Sequence, residues 1–264
     1  MRDLEGKVVL ITGAGRGIGR AAAIEFATWG SHVVLAGRQE ASLVEVAAEV
    51  AALGREALVM PTDVTQEADV SALVRAAVCR FGRLDAAFNN AGTFGTFGKL
   101  ENDTLENFEE VVGTNLRGVW LCTKWQIRQM LTQGGGAIVN CSSVSGVLGH
   151  LQSCVYSASK HGVIGLSKSA ALQYARAHIR VNVVAPGSTD TEMLRAVYFT
   201  PESLRDRADM LPMGRLGRPQ EVAQVAVWLC SDASSFVTGQ VIGADGGVVA
   251  GRGEKRNAVH EHDR

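Results

Sequence analysis

Tyr156 and Lys160, in the run Tyr156-Ser157-Ala158-Ser159-Lys160, are the residues of this sequence best suited to moving a proton. At i and i+4 on a helix they share one face, which brings the ammonium close to the phenol. A phenol titrates near pH 10 and is a poor base at neutrality. Lowering it by about 3 units takes roughly 4 kcal/mol of preferential phenolate stabilisation, part of which a neighbouring lysine supplies. Ser143, just past an apolar run, is placed to hydrogen-bond a substrate oxygen. Spacing alone leaves the pair readable as an ordinary surface Tyr and Lys, so its weight depends on its company.

A second pattern is Thr12-Gly13-Ala14-Gly15-Arg16-Gly17-Ile18-Gly19, a TGxxxGxG turn between a strand-like run and a helix-like one. Glycines there allow a sharp turn, admit a diphosphate close to main-chain N–H groups and aim a helix N-terminus at it. The plainer alternative is a tight turn that needs positive φ. The carboxylate that would hold an NAD ribose, about 20 residues further on, is replaced by Gly37, with Arg38 beside it. Arg38 and Arg16 together suit a 2′-phosphate, so the sequence favours NADP(H) over NAD(H), against the alternative of two solubilising arginines.

These residues need a scaffold, and the chain supplies one. Strand-like runs at 7–12, 32–36, 56–61, 84–89, 137–142, 180–185 and 240–245 alternate with helix-length segments at 17–29, 39–53, 66–81, 104–133, 153–177 and 219–231. In the third segment Val70, Leu73, Val74, Ala77 and Phe81 form one helical stripe. The strands are almost continuously apolar, as in a sheet buried on both faces. Strand–helix alternation predicts an α/β, doubly wound, Rossmann-type fold, with ligands above the C-terminal strand ends. Residues 1–251 are expected to form one domain, with an apolar lid at about 188–215 and a polar tail at 252–264.

Composition narrows the class. Of 264 residues, 46% are hydrophobic, and 26 Lys and Arg face 27 Asp and Glu, a net charge of −1. That balance argues against bulk attraction to nucleic acid. No apolar stretch is long enough to span a membrane, and the start, MRDLEGKVVLITG, lacks a signal-peptide pattern. Five scattered cysteines without CxxC read as reduced thiols, and the chain is expected to be cytoplasmic. No metal site is expected; His260 and His262 read as polar tail residues. Cys141 and Cys154 read as packing thiols, Trp120 and Trp125 as core or contact residues, and His150, at a position where substrate would lie, as a loop residue facing water.

In order and spacing, TGxxxGxG at 12–19, Asn89-Asn90-Ala91-Gly92, Asn115, Ser143, Tyr156 with Lys160, and Pro186-Gly187 resemble the short-chain dehydrogenase/reductase family, over about residues 5–249. The resemblance implies a seven-stranded parallel sheet, NAD(P)(H) binding and hydride transfer between cofactor and an alcohol or carbonyl. Tyr156 would be the general acid/base, and Lys160 would lower its pKa and hold the nicotinamide ribose. Ser143 would polarise the carbonyl, and Asn115 would hold a water in a proton relay. In the turn of Gly13, Gly15, Gly17 and Gly19, Ile18 would lend its N–H to the diphosphate, with Arg16 inside the loop toward a 2′-phosphate. Asp63, with Val64 beside it, would bond the adenine amine. Asn89, Ala91 and Gly92 would belong to the segment packed along the adenosine ribose and the central sheet. Pro186, Gly187, Thr189 and Thr191 would line the nicotinamide amide; Thr189 replaces a frequent Val or Ile and acts mainly through its backbone.

The loops at 93–100 and 144–153, with the lid, would shape a pocket for a medium-sized, partly apolar ketone or secondary alcohol. The resemblance also implies a homotetramer, or a homodimer, built on the helices at 104–133 and 153–177. Two other readings compete. A non-catalytic dinucleotide sensor would need the glycine turn but not a proton donor, and an extended-type epimerase or dehydratase would carry an added substrate domain.

Overall fold

The Val-, Ile- and Leu-rich runs form seven strands, β1 (Val8–Thr12), β2 (His32–Gly37), β3 (Ala57–Pro61), β4 (Ala86–Asn89), β5 (Gly136–Cys141), β6 (Ile179–Pro186) and β7 (Val241–Ala244). They make one sheet in the order β3-β2-β1-β4-β5-β6-β7, and every pairing is parallel. The computed structural model describes residues 4–251; the tail expected at 252–264, with His260 and His262, lies outside the described residues. The helices are α1 (Gly17–Thr28), α2 (Glu40–Ala52), α3 (Glu67–Phe81), α4 (Leu105–Val112), α5 (Gly118–Thr132), α6 (Cys154–Tyr174), α7 (Glu192–Arg195), α8 (Pro201–Asp209) and α9 (Pro219–Cys230).

Successive side chains of a strand face opposite sides, and here both sides are covered. Val9, Ile11, Val33, Leu35 and Phe88 pack with Phe26 of α1, Val46 of α2 and Val222 of α9. Val8, Leu10, Val34 and Val181 pack on the other face with Leu73 of α3 and Ile127 of α5. Each such buried side chain contributes on the order of 1.5–3 kcal/mol.

Strand order reverses between β1 and β4, which pair in register with Thr12 opposite Asn89. A crevice therefore opens beyond the carboxyl ends of these two strands, where doubly wound sheets bind their ligands. The segment expected as one helix at 104–133 is α4 and α5 joined by a π-helical turn, Gly113–Arg117. The lid differs from expectation in character. Leu194 and Leu211 are buried, but α8 buries no residue, and Phe199, Met210 and Met213 face solvent.

Candidate active site

The crevice is a cavity of about 780 Å³, lined from the glycine turn at one end to the lid at the other. Gly13 has φ +64°, and a Cβ there would meet the main chain of Ala91 at 3.0 Å. A Cβ on Gly19 would overlap the carbonyl oxygen of Gly13, so the turn closes on helix α1 only with glycine at 19. Thr12 Oγ1 accepts from the N–H groups of Asn90 and Ala91, each at 3.0 Å, and locks the β1 and β4 termini together. Gly17 and Ile18 bring the N-terminus of α1 to the cavity, and no side chain caps its first N–H groups. A cradle that has no room for side chains and is lined by free N–H donors fits a dinucleotide diphosphate.

Further along, Asp63 and Val64 line the cavity after β3. Asp63 Oδ1 accepts from the main-chain N–H and the hydroxyl of Thr65, which fixes the carboxylate in place. Arg16 and Arg38 also line this end and are exposed, and among the described residues neither has a carboxylate partner.

The candidate proton-handling residues Ser143, Tyr156 and Lys160 meet at the end of β5. Ser143 caps the short turn Val144–Gly146, its Oγ accepting from Ser145 N at 3.1 Å. Tyr156 and Lys160 both lie on the buried face of α6 and, with Ser143, line the cavity. The Phe94 ring meets the Tyr156 ring edge-on at 5.0 Å. Burial pushes the Tyr156 phenol above its ordinary value, and the neighbouring Ser143 hydroxyl pulls the other way. Burial also lowers Lys160. Its Nζ donates to the Cys141 carbonyl at 3.0 Å and lies 5.7 Å from the Tyr156 ring centroid. The phenol therefore stands above its ordinary value, against the lowering expected from this lysine, because desolvation of a buried phenol favours the neutral form.

Asn115 sits in the π-helical turn and is fully buried. Its Oδ1 accepts from Thr93 N at 2.8 Å, and its Nδ2 donates to Thr93 O at 2.9 Å and to Ser159 Oγ at 3.2 Å. A Cβ on Gly92 would lie 3.1 Å from Asn115 Oδ1 and 3.5 Å from Lys160 Nζ, so Gly92 is wedged between the two. Asn115 thus reaches the site through the loop it braces and not by lining the cavity.

At the far end Pro186, Gly187, Thr189 and Thr191 all line the cavity. A Cβ on Gly187 would approach the Asp245 main chain to 2.8 Å. Thr189 bridges to Gly217, and Thr191 caps α7 through Leu194 N.

Two placements correct the sequence reading. Asn89 is turned away from the cavity: its Nδ2 donates to Gln126 Oε1 and Asn140 Oδ1, and Gln126 Nε2 donates back to its Oδ1. Asn90 is the amide at the cavity, donating to Thr12 O and Gly13 O. His150 does not simply face water; it is half-buried in the cavity wall with Nδ1 2.9 Å from Ser153 Oγ. Ser188, Tyr198 and Arg207 of the expected 188–215 lid line the cavity; of these, Ser188 and Arg207 are not singled out by the sequence. Nothing in the Asn89-Asn90-Ala91-Gly92 run says which amide faces the cavity, and neither Ser188 nor Arg207 carries a local signal.

Comparison with known proteins agrees with this geometry. A family model described as enoyl-(acyl carrier protein) reductase, of the short-chain alcohol dehydrogenase type, matches residues 13–249. A 2,5-dichloro-2,5-cyclohexadiene-1,4-diol dehydrogenase of Sphingobium indicum is 42% identical over 252 residues, spanning 95% of this chain and 100% of that protein. The crystal structure of levodione reductase superposes with a TM-score of 0.91 at 38% identity, covering 93% of this chain and 98% of that one. A 3-ketoacyl-(acyl-carrier-protein) reductase from Brucella melitensis complexed with NADH gives 0.87 at 36% identity, covering 92% and 98%.

Proposed function

The chain belongs to the short-chain dehydrogenase/reductase family of oxidoreductases, and from that premise we propose that it interconverts a cyclic, partly apolar ketone and its secondary alcohol with NADP(H) in preference to NAD(H). The observation that carries this reading is the meeting of Ser143, Tyr156 and Lys160 in one wall of a cavity that begins at the glycine cradle.

A bound nicotinamide supplies or accepts the hydride. The rest is done by the chain. Ser143 donates a hydrogen bond to the substrate oxygen, and the Tyr156 phenol delivers a proton to that oxygen in reduction and takes it back in oxidation. Lys160, fixed by Cys141 O, holds ribose hydroxyls and keeps a positive charge within reach of the phenol. Pro186, Gly187, Thr189 and Thr191 would hold the carboxamide end, Asp63 the adenine amine, and Arg16 with Arg38 a 2′-phosphate. Phe94, Phe97, Val197 and Tyr198 furnish apolar walls, and a relative named for a cyclohexadiene diol supports a six-membered ring as substrate.

The exposed Leu105, Phe108, Trp120 and Leu172 on α4, α5 and α6 support assembly into a homotetramer, which light scattering tests. The functional reading is tested by following absorbance of NADPH and NADH against a panel of cyclic ketones. Turnover with NADPH as the better cofactor is expected. No oxidation of either cofactor by any ketone would contradict it.

A further inference from the structure

Helix α8 is polar and mostly exposed, yet one of its nine residues, Arg207, reaches the cavity wall. It is half-buried, and its Nε donates to Ser188 Oγ at 2.7 Å. The guanidinium carbon lies 5.9 Å from the Tyr198 ring centroid. Among the described residues no carboxylate pairs with it, and both terminal nitrogens are left without a hydrogen-bond acceptor. The carboxylates that share the cavity rim, Glu109, Glu110 and Glu192, are exposed. A guanidinium that lines the cavity and is held in a fixed direction, with four N–H donors free of protein acceptors, is preorganised to receive an acceptor from a ligand. The planar fork matches a carboxylate through two parallel hydrogen bonds.

Around it stand Tyr198, Val197 and His150, and burial together with the Arg207 charge lowers the His150 pKa, which leaves that ring neutral. The lid side of the cavity thus sets one oriented cation, Arg207, beside the Tyr198 ring and Val197. We infer that Arg207 is a specificity-determining residue that binds a carboxylate on the substrate, so that the preferred substrates are ring ketones or alcohols bearing an acid group. The inference rests on the reading of this cavity as the site of ketone reduction.

The test is calorimetric binding of cyclohexanecarboxylate to the NADP⁺-loaded protein, for the native chain and for Arg207→Met, which keeps the apolar stem. The expected result is at least tenfold weaker binding to the variant, with cyclohexanol binding changed far less. Ser188→Ala, which frees the orientation but keeps the charge, is expected to weaken carboxylate binding by a smaller factor, and it serves if Arg207→Met does not fold. Equal affinities for cyclohexanecarboxylate in the native chain and the variants would overturn the inference. So would a loss confined to NADP⁺ affinity, which would assign the guanidinium to a cofactor phosphate. Because binding is read without turnover, failure of the ketone panel would count against the proposed reaction and leave this measurement decisive for Arg207.

Discussion

Lys160 Nζ donates to the main-chain oxygen of Cys141 at 3.0 Å, so the ammonium is tied to the last residue of β5, two residues before Ser143. A buried lysine held by a main-chain carbonyl has lost its rotamer freedom before any ligand arrives, and its charge is held beside the phenol, where the proposed function puts the ribose hydroxyls. Lys160→Met is therefore expected to lower kcat/KM by roughly 10²–10⁴. Cofactor Kd should rise at least ~10-fold, the loss of one charge-assisted hydrogen bond. Fluorescence titration with NADPH checks this, and an unchanged Kd removes the ribose contact.

The direction of the Tyr156 shift fixes the pH behaviour. Burial favours the neutral phenol, so the proton-donating form persists through neutrality into the alkaline range. Ketone reduction should then be nearly flat between about pH 6 and 9, while alcohol oxidation, which needs the phenolate, climbs throughout. Paired kcat/KM profiles measured in both directions decide it. Reduction that falls away below pH 8 through loss of a proton would run against the sign of this shift.

The glycines of the cradle are not equivalent. A Cβ on Gly19 meets the fixed carbonyl of Gly13, whereas a Cβ on Gly15 meets the Ser42 hydroxyl, the movable end of a side chain. Gly19→Ala should weaken NADPH binding by more than ~10-fold and lower Tm by several degrees, at a strain cost of about 1–3 kcal/mol. Gly15→Ala should do much less. Thermal melts with and without NADPH compare the two.

Cofactor choice is expected to rest on the two arginines at the adenosine end. Arg16→Ala and Arg38→Ala should each raise KM for NADPH about ten- to a hundredfold and leave KM for NADH nearly unchanged, as lost charged hydrogen bonds to a 2′-phosphate would. Both arginines are exposed, so added salt should erode the preference. Equal effects on both cofactors would place the arginines elsewhere.

The sheet and the glycine turn could be read directly from local patterns, because apolar runs and a βαβ glycine turn are signals within one segment. The π-helical turn at Gly113–Arg117 could not. A π-helical turn has no residue-type signature of its own, yet it is this turn that carries Asn115. Nor could the sequence tell which of Asn89 and Asn90 faces the ligand, since Gln126, Asn140 and Thr123, distant in the chain, draw Asn89 inward. Arg207 escaped for a similar reason: Ser188, to which it bonds, lies 19 positions away, and α8 by itself reads as a polar surface helix.

The claim most exposed to experiment is that the Tyr156 hydroxyl moves the proton. Tyr156→Phe keeps the ring against Phe94 and removes only the oxygen. Single-variant kinetics combined with an NADPH titration should show kcat/KM for ketone reduction lower by at least ~10³, with cofactor Kd within about twofold of the native value. Turnover within tenfold of the native enzyme would contradict the account.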